Sequence, residues 1–188
     1  MKFKALILSS LVGASALFGG NYAVDTAHSS ADFSVKHMMI STVKGNFATF
    51  NGTFAYDEAS KTLNSLKGEI QAASINTGIK DRDDHLRSAD LFDVAKYPTI
   101  TFILDEVKGD KAYGKLTLHG ITKAVVLNYE NGGIVKDPWG KQRVGIGLSG
   151  SINRTDFGIT WNKALEAGGV AVSDAVKLDV ALEGVLQQ

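Results

Sequence analysis

Asp81-Arg82-Asp83-Asp84-His85-Leu86-Arg87-Ser88-Ala89-Asp90-Leu91-Phe92-Asp93, followed by Tyr97-Pro98-Thr99-Ile100-Thr101-Phe102, is the stretch that reads neither as strand nor as turn. Asp81 is placed to cap a helix, Asp83 and Asp84 put negative charge in its first turn, and Asp83 with Arg87 has the spacing of a favourable pair. Leu86, Ala89 and Phe92 then share a face. Pro98 disfavours helix at Tyr97, and Ile100, Phe102 and Leu104 change to the period of two that marks a strand. The stretch therefore predicts a short helical insertion, about Asp83 to Phe92, between two strands.

On either side of it the chain alternates. From Asn21 to His37 a first strand places Ala31, Phe33, Val35 and His37 on one face, opposite Asp32, Ser34 and Lys36. Val43, Gly45 and Phe47 begin a second run that changes register near Ala48, as a bulge would make it do, before Phe50, Gly52, Phe54 and Tyr56. Leu66, Gly68, Ile70 and Ala72 follow. Beyond the insertion come Gly114, Leu116 and Leu118, then Val125, Leu127 and Tyr129, with Asn131-Gly132-Gly133 and Asp137-Pro138-Trp139-Gly140 read as turns. Val144, Ile146, Leu148 and Ile152 form the penultimate long strand, and Val176, Leu178, Val180 and Leu182 the last. Amphipathic strands without βαβ alternation predict an all-β antiparallel barrel or sandwich. A barrel of about eight strands is wide enough to enclose one ligand.

The 188 residues, 44% of them hydrophobic, suffice for one domain with a real core. Twenty Lys and Arg balance twenty Asp and Glu, so no basic surface invites nucleic acid. Lys2 and Lys4, the apolar run Ala5 to Val12 and the small residues Gly13 to Ala16 read as a secretory signal within residues 1–20. That run is shorter than the ~20 residues of a membrane span, so no transmembrane anchor is expected. The domain is then 21–188, with 18 basic and 20 acidic residues once Lys2 and Lys4 are removed. Cysteine is absent, which excludes disulfides, thiolate metal sites and thiol nucleophiles.

Asp83, Asp84, His85, His28, His37 and His119 lack the spacing of a metal or hydrolase site. Structural roles are expected instead, His28 and Ser29 bonding loop backbone and His119 supporting the turn at Gly120. The aromatic set Phe33, Phe54, Phe92, Phe102, Phe157 and Trp161 fills a core or lines a cavity.

The segment Arg82 to Phe102 resembles a signature, Arg-Asp-x-His-Leu-x-Ser-x-Asp-x-Phe-Asp then Tyr-Pro-x-Ile-x-Phe, of the YceI-like polyisoprenoid-binding periplasmic proteins. Leu91 stands where that family usually has Phe. Further matches are Asp25-Thr26-Ala27-His28-Ser29, Phe33-Ser34-Val35-Lys36-His37, Leu116 to Thr122, and Arg154-Thr155-Asp156-Phe157-Gly158. The resemblance implies a lipocalin-like, extended eight-stranded antiparallel barrel with a short helical insertion. Its implied role is a periplasmic carrier that holds a long isoprenoid or quinone-like lipid in an apolar tunnel, with no catalytic cofactor. The residues that would touch such a ligand are Phe33, Val35, His37, Phe54, Ile70, Leu86, Phe92, Phe102, Leu116, Leu118, Phe157, Trp161 and Asn162, with His37 and Asn162 at the polar head. The alternatives are an enzyme acting on an isoprenoid or quinone, and a stress-related structural module whose cavity is incidental. A homodimer is left open.

Overall fold

The computed structural model describes residues 19–166 and 168–187; apart from Gly19 and Gly20, the expected signal segment lies outside them. Eleven strands follow one another: β1 (Gly20–Val24), β2 (Ser30–His37), β3 (Ser41–Phe47), β4 (Phe50–Asp57), β5 (Thr62–Gln71), β6 (Ile75–Asn76), then the helix α1 (Lys80–Arg87), β7 (Thr99–Lys108), β8 (Lys111–Leu118), β9 (Ile121–Lys136), β10 (Gln142–Asn153) and β11 (Val172–Leu186). All pairings are antiparallel, and eight strands close a ring in the order β1-β4-β5-β7-β8-β9-β10-β11 because β1 also pairs with β11. Closure satisfies the ladder groups that an open edge would leave bare.

The long strand β11 makes this possible by serving two partners on one side. Its C-terminal end pairs with β1 through Val24↔Gly184, and its N-terminal part pairs with β2 through Leu178↔Phe33. The expected single strand from Asn21 to His37 is therefore two, separated at a turn where Ser29 Oγ donates to the carbonyl of Asp25 at 2.7 Å and accepts from the amide of Glu183 at 2.9 Å. The register change near Ala48 is likewise a break between β3 and β4. There the Ala48 amide donates to Ser74 O and the Gln71 amide to Thr49 O, so the backbone is satisfied across a corner. The expected turn at Asn131-Gly132-Gly133 is instead a bulge inside β9. Gly145 faces Gly133 while Ile146 faces Asn131, leaving Gly132 as the extra residue. A Cβ on Gly132 would come 3.0 Å from the Gly145 backbone, so a side chain there would crowd the approach of the two strands.

The interior holds two apolar clusters. One, around the fully buried Tyr22, Tyr56, Leu63 and Val144 with Phe54, seals the end of the barrel near β1 and β4. The other, around Phe47, Ile75, Leu91, Phe157 and Ile159, lies at the opposite end beneath the helical insertion.

Candidate functional site: an apolar cavity under the helical insertion

Between the two clusters lies a cavity of about 220 Å³ whose wall is almost wholly apolar. Its sides come from the inward positions of successive strands: Phe33 and Val35 from β2, Ile70 from β5, Ile100 and Phe102 from β7, Leu116 and Leu118 from β8. Val176, Leu178, Val180 and Leu182 supply a whole row from β11, alternating with exposed Lys177, Asp179 and Ala181. Several of these inward side chains, among them Phe33, Ile70, Phe102, Val125, Leu178 and Val180, are only half-buried. Close-packed interiors bury such groups fully. Here apolar surface is left facing the cavity.

The cover is built by the insertion. The helix is shorter and starts earlier than the sequence suggests, and its N-cap is Ile79, which makes no side-chain cap. Asp81 is inside the helix. Asp83 is buried and does not pair with Arg87; its carboxylate accepts from the amide of Thr77 at 2.9 Å and from Thr77 Oγ1 at 2.5 Å. Arg82 donates to the Thr77 hydroxyl and carbonyl at 2.7 and 2.9 Å. Arg87 pairs with Asp84 and donates to the carbonyls of Ala73 and Ile75, both at 2.8 Å. The charged residues of the signature thus fasten α1 to the chain on either side of β6. Beyond the helix, the amide of Phe92 donates to Leu86 O at 3.0 Å, and Leu86, Leu91 and Phe92 all reach the cavity. Ala89, expected on their face, is exposed because the helix ends at Arg87 and the following turns rotate it outward.

A second segment completes this end. Arg154 is buried and its five N–H groups have five acceptors, the carbonyls of Ile159, Trp161, Val172 and Ser173 and the carboxylate of Asp174. It therefore clasps the chain on both sides of the excursion from β10 to β11. Burial lowers the pKa of its guanidinium, with Asp174 acting in the other direction. The rings of His85 and Trp161 meet edge-on at 4.9 Å, joining α1 to this segment.

Of the residues nominated from sequence, Phe33, Val35, Ile70, Leu86, Phe92, Phe102, Leu116 and Leu118 line the cavity together. The others stand elsewhere. Phe54 stacks on Tyr22 at 5.2 Å in the sealed end, and Phe157 is fully buried in the second cluster. Trp161 packs on that cluster and on His85. Asn162 spends its amide on the backbone of Val172, donating at 2.7 Å and accepting at 3.1 Å. His37 closes the ladder opposite Val172. Not nominated, though visible in the same alternation, were the β11 row and Val125, Leu127 and Leu148.

A separate group of carboxylates is arranged around one cation. Arg143 donates to Asp25 and Asp137 at 2.8 Å and to Glu183 at 2.5 Å, and it holds the Asp25 carboxyl down at about 2, helped by His28. Asp25, His28 and Glu183 are close enough to share a metal ion, but the guanidinium already occupies the anionic oxygens a cation would need. His119 has Nδ1 3.2 Å from Phe157 O and its ring against Tyr97 at 4.3 Å. In the sealed end, burial pushes the Tyr129 phenol up to about 12.

The family model described as a YceI-like domain matches residues 22–184. The chain belongs to the YceI-like family. A UPF0312 protein of Staphylococcus aureus is 38% identical over 164 residues, covering 87% of this chain and 96% of its own. Among solved structures, the YceI protein of Campylobacter jejuni superposes with a TM-score of 0.72 at 34% identity, over 81% of this chain and 90% of that one. A polyisoprenoid binding domain from Saccharophagus degradans has the same fold at 17% identity, with a TM-score of 0.68 over 88% and 98% of the two chains. These YceI-like relatives agree with the closed antiparallel barrel described above.

Proposed function

We propose that this protein is a lipid carrier that holds the apolar tail of a long isoprenoid or quinone-like molecule inside the barrel. The observation that carries the reading is the row of half-buried inward side chains around an apolar cavity. Apolar cavities stay dry and take apolar guests, and each five-carbon prenyl unit moved out of water contributes up to ~4 kcal/mol before ordering costs. A few units give tight binding without any charged contact. The Saccharophagus domain, described as polyisoprenoid binding, shares this fold and supports the same ligand class here. Carriage rather than turnover is favoured because three of the four histidines, His28, His85 and His119, are engaged in structural contacts with Asp25, Trp161 and Phe157 O. The Lys2 and Lys4 flank and the small residues that follow the apolar run support export to the periplasm.

Mass spectrometry of lipid extracted from protein purified without detergent tests the reading. An isoprenoid lipid in near-equimolar amount is expected. Protein that carries no lipid, and takes none from an added polyprenol, would contradict it.

A further inference from the structure

We infer that the β2–β3 hairpin tip, Met38-Met39-Ile40, is a membrane-contact element that seats the covered end of the barrel on a lipid bilayer. The inference rests on the lipid-carrier reading for its occupant and on the hairpin itself for its evidence. Met38, Met39 and Ile40 are 43%, 57% and 84% exposed, three apolar side chains in succession. Folding alone does not explain them. Both methionines have φ in the left-handed region, at 50° and 62°, and the Ile40 amide donates to His37 O at 3.2 Å. Two central residues of positive φ are the pattern of a type I′ turn, which prefers Asn-Gly. Methionine there carries backbone strain without gaining burial.

The position of the tip gives the strain a use. Val35 and Val172 line the cavity, and the ladder continues from them through His37↔Val172 to Met38, whose amide donates to Ala171 O at 2.8 Å. Met38 is thus three residues beyond a cavity-lining side chain, about 10 Å along a strand. At the far end, Tyr22, Tyr56, Leu63 and Val144 seal the barrel. The tip end is different: its wall is assembled from Leu86, Leu91 and Phe92 of the insertion, Ile159 and the hairpin. The branch β2-β3-β6 does not close onto the ring by strand pairing among the described residues. An exit for a tail is therefore at this end.

A bilayer is the occupant that the cargo dictates. A polyprenyl lipid has almost no aqueous concentration, so a carrier must collect it from and return it to a membrane. Lys36 and Lys44 are exposed on the outer face of the hairpin, and neither is in an ion pair among the described residues. Their stems can lie along the interface with the ammonium groups at lipid phosphates while the methionines and Ile40 enter the acyl boundary.

The test uses the triple variant Met38→Asn, Met39→Gly, Ile40→Thr, which suits the turn better than the native residues and so keeps the fold. Binding to cargo-free vesicles of phosphatidylethanolamine and phosphatidylglycerol is measured by co-sedimentation, and uptake of an NBD-labelled polyprenol both from those vesicles and from ethanol dilution. Vesicle binding and vesicle-dependent uptake should fall about tenfold or more in the variant, with uptake from ethanol dilution unchanged. Equal vesicle binding by both proteins, no vesicle binding by the wild type, or self-association through the tip in sedimentation velocity would overturn the inference. Failure of the wild type to take up probe by either route would instead refute the carrier reading, since cargo-free binding is measured separately.

Discussion

Nη2 of Arg154 donates to Oδ1 of Asp174 at 3.0 Å, yet Asp174 is half exposed and the arginine is buried. The arginine's other four N–H groups go to carbonyls, so the ion pair is the smaller part of what it does. Arg154→Lys leaves buried carbonyls without donors, because an ammonium offers three donors where the guanidinium offers five. It should cost ~3–5 kcal/mol of stability. Asp174→Asn should cost less than ~1 kcal/mol. Denaturant midpoints of the two variants check the contrast; equal losses would mean that the ion pair dominates.

Phe92 reaches the cavity and also packs edge-on against Phe47 at 5.9 Å. The insertion that carries it is fastened by Arg82, Asp83 and Arg87, so on the proposed carrier reading it serves as a fixed plug whose inner surface would touch the tail. Phe92→Ala should destabilise the empty protein by ~2–3 kcal/mol, below the ~3–5 of a fully buried ring, and should also speed polyprenol release. An unchanged empty-state midpoint with faster release would identify a hinged lid.

The Arg143 cluster contributes to stability in acid. Asp25 titrates at about 2 in the folded protein against 3.8 for an unperturbed group, chiefly through its hydrogen bond from Arg143, and Asp137 is lowered by the same arginine. The unfolded chain therefore binds more protons between the two values, and stability contributed by Asp25 is complete above about pH 4 and lost as pH falls towards 2. Arg143→Gln should move the acid-unfolding midpoint upward, read by circular dichroism. A midpoint that stays in place would assign acid unfolding to other carboxylates.

Tyr129 Oη is buried with no hydrogen-bond partner among the described residues. Leaving a hydroxyl in that state costs ~1–3 kcal/mol, so Tyr129→Phe should be neutral or stabilise by about 1 kcal/mol in thermal unfolding. A clear destabilisation would point to a buried water bonded to it.

Much of this arrangement is legible in the sequence, because period-two alternation survives wherever a strand has one wet face. Lys177, Asp179 and Glu183 mark the outside of β11 as plainly as Val176, Leu178, Val180 and Leu182 mark its inside. What alternation does not show is where a strand changes partner. A change of parity, from Tyr22 and Val24 to Ala31, Phe33 and Val35, marks a break within Asn21 to His37, but not that the turn at Asp25 sends its two halves to different parts of β11. Gly132-Gly133 looks like a turn because glycine serves both a turn and a bulge, and only the partner Gly145 distinguishes them. The roles of Asp83 and Arg154 were hidden for a further reason. Each acts on backbone atoms several residues away, and such bonds have no side-chain spacing to read.

If the tail sits in the cavity inside the barrel, filling that cavity should exclude it. Leu178 and Val180 both line the cavity and both are half-buried, so Leu178→Phe with Val180→Phe adds volume where space exists. Titration of the NBD-labelled polyprenol should show saturable one-to-one binding by the wild type and, in the filled variant with its thermal unfolding retained, affinity weaker by about 100-fold, or ~2.7 kcal/mol. Unchanged affinity in a folded, filled variant would place the ligand elsewhere and contradict the account.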